Sequence, residues 1–278
     1  MILSGDRIRH QLKTKTIGQN VIYVPQTGST NTELKKLARI GAPEGLLYVT
    51  DEQLVGRGRL ERSWFAPASS SLLTSLLFRP GDFLAPSQLQ RLTMLCSLAM
   101  LEAIESQTGL TPGLKWPNDL VWCDSKKVGG ILTESEIEGD RLNWVVVGLG
   151  LNVNVDFSQE TQPQPDRPGR PGSGSRPLAE IATSLSMLLG KDIRRLPLLQ
   201  AYLEHIERRY EALKQGYSPY QEWQDRLIDL GRHAAVTVAD NERYQGIISG
   251  VDQNGALCLQ QQPDGSTVII PAGDVTLK

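Results

Sequence analysis

The fold is decided by residues 114–155, LKWPNDLVWCDSKKVGGILTESEIEGDRLNWVVVGLGLNVNV. Three segments of this stretch, residues 114–123, 127–138 and 142–155, are rich in β-branched and aromatic residues, which favour strands. Glu138–Asp140, between the second segment and the third, is typical of a hairpin turn. The stretch therefore predicts neighbouring strands of one sheet.

The chain on either side alternates between predicted strands and helices. Thr30 and Glu33 have the spacing of a capping box, and Gly41 lies where a helix would end. Upstream of the stretch, we predict strands at Val21–Val24, Leu46–Thr50 and Ser71–Phe78 and helices at residues 30–41 and Ser87–Thr108. Downstream, we predict a loop rich in Pro, Gly and Ser at Asp156–Pro177 and helices at Leu178–Leu189, Leu196–Lys214 and Tyr220–Leu230.

From about Gly231 the sequence changes to short β-type runs separated by turns. The turn dipeptides are Asp240-Asn241, Asn254-Gly255 and Asp264-Gly265. This pattern predicts a small β-barrel, residues 231–278, appended to an α+β domain, residues 1–230.

Composition excludes several classes of protein. A net charge of −2 over 278 residues gives no support to a globally basic nucleic-acid binder. Three cysteines and three histidines, all widely separated, disfavour a disulfide framework or a zinc site. The N-terminus has no apolar signal-peptide core, and no apolar run reaches the roughly 20 residues of a membrane span. We expect a cytoplasmic protein without a membrane partner.

The loop Gly56–Trp64, GRGRLERSW, places three arginines among glycines. Glycines let backbone N–H groups approach an anion, and arginine supplies a planar cation that binds phosphate or carboxylate. The loop lacks the spacing of a Walker phosphate loop. The motif alone predicts either an anion site or a solvated basic loop.

Two further motifs combine glycine with polar groups. Pro117 fixes the chain beside Asn118 and Asp119, and Lys126 and Lys127 precede the pair Gly129-Gly130. These residues form either a ligand site or a hairpin with surface lysines. In GLGLNVN, residues 148–154, two asparagines alternate with valines and would share one face, at a polar site or at a simple strand end.

Together these motifs resemble those of the biotin–protein ligase family. The turn Gly28-Ser29-Thr30-Asn31, Gln53, the loop 56–64, KWPNDL, KVGGIL and GLGLNVN follow one another as they do in that family, from about Val21 to the C-terminus. The resemblance implies an α+β fold with a central mixed sheet flanked by helices, as in class II aminoacyl-tRNA synthetases and biotin ligases. It also implies that the small terminal barrel is SH3-like.

The resemblance implies a reaction as well. Members activate biotin with ATP and Mg²⁺ to biotinyl-5′-AMP and transfer it to a lysine of a biotin carboxyl carrier protein, a subunit of acetyl-CoA carboxylase. Homodimers are common in the family. Bifunctional members carry an N-terminal winged helix that binds DNA, and the roughly 20 residues before the first strand are too few for it, so we expect no DNA partner.

The resemblance also assigns residues. The implied biotin-binding residues are Ser29, Thr30, Asn31, Gln53, Gly56, Arg57, Gly58, Arg59, Lys127 and Gly130. The implied ATP- or adenylate-binding residues are Arg59, Arg62, Trp64, Asn118, Lys127 and Asn152. Lys127, Arg59 and Asp119 are the implied catalytic residues, Lys126 being the alternative if the alignment is displaced by one position. Asp119 either accepts the proton of the acceptor amine or holds the metal, which ATP mainly carries.

Leu60 and Glu61 depart from the family loop, which has an arginine and a glycine there. A carboxylate beside an anion site is unfavourable unless it pairs with Arg59 or Arg62. We therefore expect this difference to affect loop closure and retention of the adenylate.

Three other functions compete with biotin ligation. A lipoate–protein ligase or octanoyltransferase shares the general fold, but a fatty chain does not need the polar Ser29/Thr30/Gln53 group. A nucleic-acid-binding regulator would use Arg57, Arg59 and Arg62 as a basic patch. The third alternative is a non-catalytic interaction module whose site has lost activity, and Glu61 is the residue that supports it.

Overall fold

The computed structural model describes residues 3–59, 63–123, 125–160, 176–238, 242–261, 263 and 265–277. The strands are β1 (Val21–Thr27), β2 (Leu47–Gln53), β3 (Ser71–Phe78), β4 (Gly113–Lys115), β5 (Asp119–Val121), β6 (Lys127–Glu138), β7 (Arg141–Asn152), β8 (His233–Thr237), β9 (Arg243–Val251), β10 (Leu257–Gln260), β11 (Thr267–Ile270) and β12 (Asp274–Leu277). The helices are α1 (Gly5–Arg9), α2 (Thr30–Arg39), α3 (Gln90–Thr108), α4 (Leu178–Ile181), α5 (Leu185–Leu189), α6 (Arg195–Lys214) and α7 (Tyr220–Asp225), with a 3₁₀ turn at Pro86–Gln88.

The first seven strands form one mixed sheet in the order β1-β2-β3-β7-β6-β5-β4. β1 and β2 are parallel, and all other neighbours are antiparallel. β6 and β7 form a long hairpin that pairs from Glu138↔Arg141 at the turn to Gly129↔Leu151 at the far end. Gly139 takes a φ of +58° in that turn, a conformation that glycine adopts without steric cost. The α+β fold with a central mixed sheet is confirmed.

The two faces of this sheet are covered differently. Helices α3 and α6 pack together, and α3 lies over the hairpin. The buried apolar strand residues of this face include Leu72, Leu76, Val147, Leu149 and Leu151. The smaller cluster that α2 forms on the opposite face consists of Leu34, Ala38, Leu46, Tyr48, Leu77, Trp144 and Val146. Farther along β7, the face under α2 carries Gly148 and Gly150 in place of large side chains. The missing side chains leave space for polar groups.

The remaining strands form an antiparallel five-stranded sheet in the order β11-β10-β9-β8-β12. The hydrogen bonds that join it to the larger body include those from Trp116 Nε1 to the carbonyl of Gly255 (2.9 Å) and from Val251 N–H to Gln224 Oε1 (2.8 Å). Leu257 and Leu259 belong to the same apolar cluster as α3 and α6. A small C-terminal β domain, as expected for an SH3-like barrel, is thus present and is packed onto the core.

Three local predictions were wrong. The N-cap of α2 is Ser29, whose side chain makes no capping hydrogen bond, so Thr30 and Glu33 form no capping box. The predicted helix 178–189 is broken, because Ala182 is extended and pairs with Lys127. The predicted helix 220–230 ends at Asp225, because the following residues add to the edge of β4, where Ile228 N–H donates to the carbonyl of Leu114 (3.0 Å).

Helix α6 also fixes the N-terminal segment. The Glu207 carboxylate accepts the backbone N–H groups of Lys15 (2.5 Å), Thr16 (2.7 Å) and Ile17 (2.9 Å). Burial raises the pKa of this carboxyl group, but the three N–H donors outweigh burial and hold its pKa below the ordinary value. In the part of the chain that the structure describes, no helix has the length and apolar character needed to cross a membrane.

A folded-state pKa below the unfolded one stabilises the fold above the ordinary pKa of glutamate, and this contribution is lost as the pH falls through the folded value. Glu207→Gln is therefore expected to flatten the acid side of the stability profile and to cost about 1–2 kcal/mol near neutral pH. Urea unfolding between pH 3 and 7 measures both effects. Glu211→Gln, one turn later on the same helix and paired with the exposed side chain of Lys214 instead of backbone N–H groups, should leave the profile unchanged.

Candidate functional site

The residues assigned to the head group of the ligand come together at the start of α2. Thr30 donates to Gln53 Oε1 from its backbone N–H (2.8 Å), and its hydroxyl lies 3.2 Å from the same oxygen. Ser75 on β3 contacts both Thr30 Oγ1 (2.7 Å) and Asn31 Oδ1 (2.6 Å) through its hydroxyl. Ser29, Thr30, Asn31 and Ser75 are all buried. The structure thus brings four predicted residues together and adds Ser75, which the sequence analysis missed.

This cluster holds fewer hydroxyl protons than contacts. Ser75 and Thr30 supply two O–H protons between them, while three oxygen–oxygen contacts join them to each other, to Asn31 and to Gln53. At least one lone pair in the group therefore lacks a proton. Such a group can accept a hydrogen bond from a ligand N–H without giving up all of its internal bonds.

Gly148 makes room for Asn31. A Cβ atom on Gly148 would lie 2.2 Å from Asn31 Oδ1 and 2.9 Å from Cγ, inside any real contact distance. Gly148 pairs with Ser75 on β3 and with Leu132 on β6, so it lies directly under the polar cluster. The glycine of the GLGLNVN motif is therefore a steric requirement of the site.

The second part of the site surrounds Lys127. Its ammonium is 2.7 Å from Asp119 Oδ1 and 5.4 Å from the centre of the Trp64 ring. Lys127 and Gly130 differ by three positions, so regular alternation would put them on opposite faces. The pairing of β5 with β6 shifts register between Leu120 and Val121, which leaves one extra residue on β6, and the Lys127 ammonium packs over Gly130. The bulge aims this lysine into the site.

Glycines also shape this second part. A Cβ on Gly130 would lie 3.1 Å from Lys127 Nζ, and one on Gly150 would lie 2.6 Å from Cε2 of Trp64. Gly130 and Gly150 are paired neighbours on β6 and β7. The lysine stem and the indole therefore pack directly against backbone that carries no side chain, and Nε1 of Trp64 is buried with no hydrogen-bond partner among the described residues.

The two described ends of the arginine-rich loop pair with each other. Trp64 N–H donates to the carbonyl of Gly56 (3.0 Å), and Arg57 forms an isolated antiparallel bridge with Ser63. Gly58 follows Arg57, whose side chain is exposed. Arg59 is half-buried and reaches Asn118 Oδ1 and the Gly273 carbonyl of the small domain, both at 3.4 Å. Leu60, Glu61 and Arg62, with the predictions made for them, lie outside the described residues.

Two asparagines assigned to the nucleotide bind backbone. Asn118 Nδ2 donates to the Ile131 carbonyl (2.5 Å), leaving its Oδ1 to Arg59. Asn152 Nδ2 donates to the carbonyls of Thr183 (3.1 Å) and Lys127 (3.4 Å), and its buried Oδ1 has no partner in the part of the chain that the structure describes. Asn152 thus holds the Lys127 strand and keeps one acceptor unused.

Comparison with known proteins gives a consistent result. The model described as the Biotin/lipoate A/B protein ligase family matches residues 23–152, and that of the Biotin protein ligase C terminal domain matches residues 230–278. The bifunctional ligase/repressor BirA of Bacillus spizizenii is 35% identical over 94% of this chain and 75% of its own length. The chain belongs to the biotin protein ligase family.

Other members of the biotin protein ligase family agree. The biotin–[acetyl-CoA-carboxylase] ligase of Paracoccus denitrificans is 32% identical over 90% of this chain and 97% of its own length. The biotin protein ligase of Aquifex aeolicus, solved in complex with biotin and ATP, is 26% identical and superposes with a TM-score of 0.71, covering 94% of this chain and 99% of that one. The family consists of ATP-dependent ligases.

A buried ion pair supports the strand that carries Gln53. Arg195 at the start of α6 donates to Asp51 Oδ1 (2.8 Å) and to the Ser71 carbonyl (3.0 Å). Tyr23 Oη donates to the other Asp51 oxygen (2.6 Å). This hydrogen bond to the carboxylate, together with burial, raises the pKa of Tyr23 to about 12. The phenol therefore stays protonated and holds β1 to β2 at neutral pH.

Among the described residues, no three His, Cys, Asp or Glu side chains come together as a metal-binding group. Asp119, one carboxylate already paired with Lys127, is the acidic side chain in the second part of the site. An Mg²⁺ ion here would rest mainly on phosphate oxygens, as this ion commonly does.

Proposed function

We propose that the protein activates biotin with ATP to biotinyl-5′-AMP and transfers the biotinyl group to one lysine of a biotin carboxyl carrier protein. The observation that carries the proposal is that a polar cluster and a cation lie next to each other on one face of the sheet. A buried polar group at Thr30, Asn31 and Ser75 lies at one end, and a cation over a glycine floor, Lys127, lies at the other.

The polar group fits the head of biotin. A ureido ring offers N–H donors and one carbonyl acceptor, and the cluster offers hydroxyl lone pairs and the Gln53 amide. Family membership supports this placement, because the Aquifex aeolicus protein binds biotin and ATP on the same fold. We assign Ser29, Thr30, Asn31, Gln53 and Ser75 to the head group and Gly56–Arg59 to the loop over it.

The cation fits the first chemical step. One biotin carboxylate oxygen attacks the α-phosphorus of ATP, a P–O bond forms, and pyrophosphate leaves with the electron pair of the bond that breaks. Two anions must approach each other, so the Lys127 ammonium and the Arg59 guanidinium lower the barrier by offsetting negative charge. Asn118 aims Arg59, and Asn152 fixes the strand of Lys127. Trp64 and Asn152 are assigned to the nucleotide.

The second step transfers the acyl group. The neutral lysine amine of the carrier attacks the acyl carbon, a C–N bond forms, and AMP leaves with the C–O electron pair. Asp119, once Lys127 engages the ligand, is the carboxylate placed to take the proton that the amine loses. We assign to the Gly56–Trp64 loop, whose two ends are joined by the hydrogen bond from Trp64 N–H to the Gly56 carbonyl, the role of keeping water from the anhydride before the carrier arrives.

We also propose a division of labour along the chain. Residues 1–230 form the catalytic domain and residues 231–278 the small barrel. The hydrogen bond from Arg59 to the Gly273 carbonyl supports a barrel that completes the nucleotide side of the site.

Exchange of labelled pyrophosphate into ATP tests the first step. We expect exchange that requires biotin and does not occur with lipoate or octanoate. Exchange with lipoate or octanoate alone would transfer the assignment to the lipoate or octanoyl branch, and no exchange with any acid would contradict the proposal. For the second step, a carrier domain should become streptavidin-reactive, whereas the same domain with its acceptor lysine replaced by arginine should not.

A further inference from the structure

A charged pair lies behind Asn31, on the side away from Ser75. Asn31 Nδ2 donates to Glu134 Oε2 (2.8 Å) and to the Leu132 carbonyl (3.1 Å). The other carboxylate oxygen of Glu134 accepts from the ammonium of Lys35, one turn along α2. Both members of this pair are largely shielded, with side-chain exposures of 20% for Lys35 and 29% for Glu134. Neither residue belongs to the site described above.

The pair decides which way the Asn31 amide points. A carboxylate and a backbone carbonyl only accept hydrogen bonds, so the NH₂ group of Asn31 must face Glu134 and Leu132. Asn31 Oδ1 is thereby turned toward Ser75 and lies against Gly148. The Ser75 proton then goes to Asn31 Oδ1, which leaves the lone pairs of Ser75 directed at Thr30.

The polarity continues to the ligand. With its own proton directed at Asn31 Oδ1, Ser75 also lies 2.7 Å from Thr30 Oγ1, whose own proton is directed at Gln53 Oε1, 3.2 Å away. The hydroxyl protons of Ser75 and Thr30 are then both directed at protein oxygens, and the lone pairs of these hydroxyls are left to accept a ligand N–H group. An Asn31 amide turned the other way would donate to Ser75, release the Ser75 proton and present a donor where the ligand has N–H groups.

We infer that Glu134, held by Lys35, is a positioning residue that sets the hydrogen-bond polarity of the biotin head-group site through Asn31. The inference rests on the proposed function for the identity of the ligand. It predicts an effect on the acid substrate and not on ATP, because the charged pair hydrogen-bonds to Asn31 of the head-group cluster.

Glu134→Ala should raise the KM for biotin in pyrophosphate exchange about 10-fold, the size expected when a hydrogen bond to a charged group is lost, while the KM for ATP stays within twofold. Glu134→Gln should also be impaired, because Lys35 competes with Asn31 for the one amide oxygen. Glu134→Gln combined with Lys35→Met frees that oxygen for Asn31 and should return the KM for biotin to within about threefold of wild type.

Glu136→Ala is the matched control. Glu136 lies two residues along the same strand and pairs with Arg39, one turn beyond Lys35 on α2, but it bonds to Trp144 and Asn143 and touches no site residue. It should lower thermal stability and leave both KM values unchanged.

An unchanged KM for biotin in a folded Glu134→Ala protein would overturn the inference. So would an equal rise in both KM values, or a double variant as impaired as Glu134→Gln alone. If Glu134→Ala does not fold, the comparison of Glu134→Gln with the double variant decides. Wild-type protein that exchanges with a different acid would refute the proposed substrate separately, and the same KM comparison would then be made with that acid.

Discussion

Lys127→Ala is expected to lower kcat for biotin-dependent pyrophosphate exchange roughly 100- to 1,000-fold. The ammonium lies over Gly130, between Asp119 and the Trp64 ring, where two anions must meet in the proposed first step. Removing one fixed cation from such a place leaves the developing phosphoryl charge less compensated. Steady-state exchange at saturating biotin and ATP measures the loss.

Lys126→Ala tests whether the effect belongs to this position, since Lys126 is the neighbour that the sequence could not separate from Lys127. We expect exchange by Lys126→Ala to stay within about threefold of wild type, because the bulge directs Lys127, and not its neighbour, over Gly130. Lys127→Met keeps an aliphatic stem on the indole and should be as slow as Lys127→Ala. Fast exchange by Lys127→Met would show that the positive charge of Lys127 is not what accelerates the first step.

Gly148→Ala is expected to raise the KM for biotin about 100-fold, at the upper end of what overpacking costs in a rigid site. The new methyl group would lie 2.2 Å from Asn31 Oδ1, and Asn31 cannot retreat because Ser75, Leu132 and Glu134 hold it. The amide must therefore leave its position and the head-group cluster must break. Direct binding of labelled biotin, alongside the KM, measures the change.

A double-mutant comparison isolates the clash. Asn31→Ala removes the atoms that the new methyl group would meet, so Gly148→Ala should add almost nothing in the Asn31→Ala background. Gly5→Ala, whose Cβ would make ordinary contacts of 3.6 Å or more, is the control for a glycine substitution and should bind biotin normally. An additive effect of the two site substitutions would show that Gly148 acts in another way.

Much of the architecture follows from local sequence. The hairpin was predictable because β-branched residues flank a turn that needs glycine at position 139, and the observed strands pair on either side of it. The small terminal sheet was predictable from its turn dipeptides. The break at Ala182 in the predicted helix 178–189 was not predictable, because pairing of Ala182 with Lys127 is a tertiary contact that outweighs local helix propensity.

The site was predictable in outline and not in geometry. Gly148, Gly150 and Lys127 are visible as motif residues, but the face that Lys127 occupies depends on a register shift that alternation alone would place wrongly. Ser75 lies inside an apolar strand, SLLTSLLF, and shares the face of Gly148 through cross-strand pairing. The one sign of this role in the sequence was a serine inside a largely apolar strand.

The site residues of the β6–β7 hairpin lie away from its turn. This one hairpin carries Lys127, Gly130, Glu134, Gly148, Gly150 and Asn152, while its turn at Gly139 lies about 40 Å along the strand from Lys127 at the usual rise per strand residue. Because the turn residues are exposed and carry none of the site contacts, a fluorophore or a short peptide tag inserted there would be tolerated. The tip of this hairpin is therefore the place to attach a reporter of ligand binding or a surface anchor.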